Sequence, residues 1–171
     1  MILSSGSLGL AGCGLHPAAT TPPAPAAPSV APPPRIGSVA MRRYGCFGSC
    51  PAYDVRIAAP GNVDYRGYAH VASTGKRHGV AENAALIRLW RLLDSVEFAQ
   101  LATNYLPGRQ ACGPWSSDGA TIVLKVNLDG RERQIRHYTG CPTTPGLLTQ
   151  VEAAIDAAAQ DQIWLYDRAE R

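Results

Sequence analysis

The chain has 171 residues, with 16 Lys and Arg against 13 Asp and Glu, for a formal net charge of +3. So small an excess favours solubility and falls short of the basic stripe that nucleic acid demands, so no nucleic-acid partner is expected. Residues 14–35 are dominated by Pro and Ala, which leaves about 135 residues for one domain, 36–171, with a single core.

Residues 1–13 form a short apolar run that ends in small residues and a cysteine. Leu10-Ala11-Gly12-Cys13 resembles the lipobox of bacterial lipoproteins. The resemblance implies a signal peptide over 1–13, cut before Cys13, and a lipid on the Cys13 thiol that anchors the chain to a membrane. Ala11 and Gly12 are small enough to admit a peptidase at that bond. Gly14 stands where an Asp would imply inner-membrane retention, so the expected site is the outer membrane, facing the periplasm. The 14–35 linker has no amphipathic period. So Pro-rich a chain is extended and semi-rigid and reaches about 70 Å at ~3.1 Å per residue.

A first strand is expected over 36–44, with Val39, Met41 and Arg43 on one side. Cys46-Phe47-Gly48-Ser49-Cys50-Pro51 then makes a two-cysteine knuckle; Gly48 permits the turn and Pro51 starts the next strand. Tyr53, Val55 and Ile57 alternate with Ala52, Asp54 and Arg56, the period of a half-buried strand. Ala59-Pro60-Gly61-Asn62 is a turn, and Val63, Tyr65 and Gly67 continue as the return strand. A fourth, short strand is expected over 76–80.

The period changes over 82–96, where Leu86, Leu89, Trp90, Leu93 and Val96 fall on one helical face. Phe98 and Leu101 tuck in after it. Residues 102–118 are irregular, and a loop that long is usually functional or stapled. Tyr105, Arg109 and Trp115 are its candidate partner-binding residues, since exposed aromatics beside Arg are an interface composition. Residues 121–128 alternate into Asp129-Gly130, a strong hairpin signal. The return strand sets Leu128 against Arg131, Val126 against Arg133, Leu124 against Ile135 and Ile122 against His137. Thr144 and Pro145 read as N-cap and first residue of a last helix, with Leu148, Val151, Ile155 and Ala158 buried. Residues 163–166 return to the core.

With Cys13 lipidated, Cys46, Cys50, Cys112 and Cys141 remain, an even set that argues for two disulfides in an exported chain. The favoured pairing is Cys46–Cys50 with Cys112–Cys141. A zinc site from all four thiolates and a redox dithiol at Cys46 and Cys50 are the competing readings.

No hydrolase elbow, phosphate-binding loop or zinc-protease motif is present, and no cofactor is expected. Ser116, Ser117, Asp118 and His137 could be imagined as a triad, and His70 with His78 as metal ligands; neither spacing is diagnostic. Cys46-Phe47-Gly48-Ser49-Cys50-Pro51-Ala52-Tyr53, with the Tyr65-Arg66-Gly67 strand, the Leu/Trp helix and the Asp-Gly hairpin, resembles a bacterial envelope domain of unknown function marked by C-F-G-x-C-P-x-Y. The resemblance covers residues 36–164 and implies fold and location, with no established activity. The expected fold is α+β: an antiparallel sheet of about five or six strands with two helices on one face, in the order ββββ-α-ββ-α. The expected function is a non-enzymatic envelope lipoprotein that presents this domain to a protein, peptidoglycan or small-molecule partner; an envelope enzyme or a metal-binding module is the alternative.

Overall fold

The computed structural model of the chain describes residues 35–166. Residues 1–34, which include the expected signal peptide, Cys13 and all of the expected linker but Arg35, lie outside the described residues, as do residues 167–171. Four strands come first: β1 (Ile36–Arg43), β2 (Ala52–Ala58), β3 (Asn62–Ala69) and β4 (Gly75–Val80). Helices α1 (Asn83–Leu93) and α2 (Val96–Gln100) follow, then β5 (Asn104–Tyr105) and a 3₁₀ turn over Gln110–Cys112. The hairpin of β6 (Thr121–Leu128) and β7 (Arg131–Tyr138) leads to α3 (Gly146–Ala159) and α4 (Gln162–Leu165).

The α+β class holds, with a correction to the sheet. It has seven strands in the order β4-β3-β2-β1-β6-β7-β5. It is mixed, because β5 runs parallel to β7 while every other pair is antiparallel. Asn104 and Tyr105 of β5 lie opposite Arg136 and His137. A strand of two residues has no room to show a period, so only its distant partner defines it.

Alternation places Val39, Met41, Tyr53, Val55, Ile57, Val63, Tyr65, Ile122, Leu124, Val126 and Ile135 on one face, each at most 2% exposed. Leu86, Leu89, Trp90 and Leu93 of α1 and Leu148, Val151, Ile155 and Ala158 of α3 cover that face and complete the core. In the hairpin, Asp129 and Gly130 take φ of 51° and 77°, the positive values a type I′ turn requires. All four expected pairs across it are formed.

The helix expected over 82–96 stops early. Glu82 caps α1, its carboxylate accepting from the Ala84 and Ala85 N–H groups. The chain leaves α1 after Leu93, and Ser95 starts α2 by accepting from the Phe98 N–H. Val96 is therefore 68% exposed, and Phe98, fully buried, takes the core position. The start of α3 also moves by one residue. Pro145 is extended (φ −59°, ψ 135°), and the helix begins at Gly146. Thr144 does not cap it; its hydroxyl donates to the Cys141 carbonyl instead. Of residues 163–166, Leu165 is buried and Trp164 packs on Tyr65 with ring centroids 4.9 Å apart, while Ile163 and Tyr166 face solvent.

Candidate functional site

The other half of each strand's period builds the opposite face. The register sets these side chains in two rows across the sheet. One row runs His78, Asp64, Arg56, Ala40, Lys125, Gln134, and the next runs Lys76, Arg66, Asp54, Arg42, Val123, Arg136. Six cations thus face two carboxylates, and a trough of about 800 Å³ runs over them. The helices pack against the other face, so these groups meet water.

Arg42 is the fixed point of this face. Its Nε and Nη2 donate to the two carboxylate oxygens of Asp54, and the Tyr68 hydroxyl donates to the same carboxylate. The Arg42 guanidinium sits 5.6 Å from the ring centres of both Tyr44 and Tyr68, within cation–π range. Partial burial works to raise the Asp54 pKa, but the hydrogen bonds from Arg42 and Tyr68 outweigh it and hold the carboxyl below its ordinary value. Asp64 engages His78 Nδ1 at 2.8 Å, and Glu132, one row on, holds Lys125 at 3.0 Å. Arg56, Arg66, Lys76 and Arg136 make no ion pair among the described residues.

The candidates singled out in the sequence are placed differently. Tyr105, expected to be exposed, is buried: it is 4% exposed, and its hydroxyl accepts from the Ala102 N–H, because β5 draws it onto the covered face beside His137. Trp115 is half exposed, with its ring edge-on to Tyr138 at 6.1 Å, and Arg109 is exposed. Cys46–Cys50 and Cys112–Cys141 are bonded at 1.97 and 2.00 Å, so the four sulfurs do not form a thiolate zinc site. Cys50 leads into β2 rather than into a helix N-terminus, the setting that would activate a thiol. The knuckle holds Phe47 out in solvent, 92% exposed. Since β1 and β7 both run antiparallel to β6, the two disulfides brace the same end of the sheet.

Ser117 donates to Asp118, while His137 is buried and engages Glu152; no hydrogen bond joins the two pairs. His78 is tied to Asp64, and among the described residues no group of three or more His, Cys, Asp or Glu is placed to hold a metal ion. A second polar cluster lies under α3. Asp156 accepts from Arg43 and from the Tyr53 hydroxyl, each at 2.8 Å, and Arg43 Nε also reaches Tyr53. Burial pushes the Tyr53 hydroxyl far above its ordinary pKa, and the Asp156 charge adds to it. This cluster is partly buried, with the Arg43 and Asp156 side chains 23% and 14% exposed, and anchors α3 to β1 and β2.

These elements define an α+β domain with one face sealed by helices and one charged face left open. The chain belongs to the family described as Domain of unknown function (DUF6438), which matches residues 37–159. No curated protein matches the chain.

Proposed function

We propose that the chain is a non-enzymatic binding domain of the bacterial envelope, tethered through lipid on Cys13, which receives an anionic partner on the open face of its sheet. The tether is argued from Leu10-Ala11-Gly12-Cys13 and the Pro-rich linker after it. Two disulfides fit an oxidising compartment. The binding reading is carried by one observation: the paired rows that set six cations against two carboxylates across six strands. Cations gathered so closely attract anions over a distance and lose that pull as salt rises. An envelope protein or peptidoglycan that presents carboxylates or phosphates meets this requirement.

The test is retention of the disulfide-intact domain on an anionic matrix under a salt gradient. Wild type is expected to elute at higher salt than the Arg56→Glu/Arg66→Glu variant, with both folded by circular dichroism. Equal elution would overturn the assignment of this face.

A further inference from the structure

Resting on that reading, we infer that the partner is an extended anionic glycan that lies across the strands. The four cations without ion-pair partners stand on four different strands: Lys76 on β4, Arg66 on β3, Arg56 on β2 and Arg136 on β7. Strands in a sheet are ~4.8 Å apart, so the five steps from β4 to β7 separate the outer cations by about 24 Å. A compact phosphate reaches two neighbouring cations and leaves the others uncompensated. A chain with charges at intervals reaches all four. Along the strands the charged array is only two rows deep, so the long axis of the ligand crosses them.

Three other occupants fit less well. The chain's own first 34 residues contain no Asp or Glu and bring no charge to match. A bilayer is flat on this scale, while the cations line a trough of about 800 Å³. A nucleic-acid strand needs aromatic rings for its bases, and here Tyr44 carries Arg42 and Tyr68 carries both Arg42 and Arg66. A glycan places hydroxyl groups between its charges. Those hydroxyls can donate to Asp64 and Gln134 while its carboxylates meet the arginines.

The experiment measures binding of the full chain, disulfides intact, to labelled polygalacturonate oligomers of increasing length. Affinity is expected to rise by about tenfold or more as the oligomer grows to cover the array, then to level off, with a salt dependence that steepens in step. The Arg56→Glu/Arg136→Glu variant, folded by circular dichroism, is expected to lose this dependence on length. Three results would overturn the inference: single sugar acids or pyrophosphate binding as well as long oligomers, preference for an oligothymidylate, or preference for phosphatidylglycerol vesicles. In each of these the cationic face still binds and only the ligand class falls. If no anion of any kind binds, the underlying reading falls with it.

Discussion

His137 Nδ1 lies 2.8 Å from Glu152 Oε1, and both side chains are 5% exposed. The contact pins α3 to β7 across 15 residues of sequence. Glu152→Ala strands the imidazole in the core and is expected to cost about 2–3 kcal/mol. Glu152→Gln keeps an acceptor within reach and should cost clearly less. Denaturant unfolding of the two variants checks this, and equal losses would show that the contact contributes little.

Asp161 has no exposed surface, and among the described residues neither carboxylate oxygen has a partner within hydrogen-bond geometry. Burial pushes its pKa up to about 9, and the neighbouring Asp156 charge acts in the same direction. The unfolded chain releases this proton at about pH 4, whereas the folded chain keeps it. The stability this group contributes is therefore fully present below about pH 4 and gone once pH has risen through about 9. Asp161→Asn removes the slope. Its melting temperature is expected to fall less between pH 5 and pH 9 than that of wild type, and parallel curves would refute the assignment.

The two disulfides close loops of different length, with sequence separations of 4 and 29 residues. By loop entropy alone they contribute about 2 and about 3.5 kcal/mol. Cys112 and Cys141 also pack against Tyr138 in a small cluster of their own. Replacing both by Ala is expected to lower the unfolding midpoint more than replacing Cys46 and Cys50. The reverse order would mean that the knuckle, rather than the long bridge, holds the fold.

Leu93 and Val96 look alike by helical period, yet Leu93 is 2% exposed and Val96 is 68% exposed. Leu93→Ala is expected to cost about 2–5 kcal/mol, and Val96→Ala less than about 0.5. Chemical denaturation of both variants separates the two environments.

That pair also shows where local pattern stops being informative. Strand faces were readable because a period of two fixes which side each residue takes, and Asp129-Gly130 then set the β6–β7 register. The break at Asp94-Ser95 was not readable from the apolar stripe, because Ser95 acts as a cap only where the chain turns out of α1. β5 escaped notice because its two residues gain meaning only beside Arg136 and His137. The open face is the deeper case. Arg42, Arg56, Arg66 and Lys125 each read as the solvent half of a strand, and a net charge of +3 averaged them away. Only the pairing of β4 through β7 brings them side by side.

β4 is the outermost strand on its side of the sheet, and Lys76, Arg77 and His78 are exposed along it. An unpaired edge invites another chain to add on, and crowded positive charge deters it. A bound polyanion that neutralises Lys76 weakens this deterrent. With the proposed ligand in the trough, occupancy and self-association would be coupled, and the domain would be most liable to stack edge to edge when fully loaded.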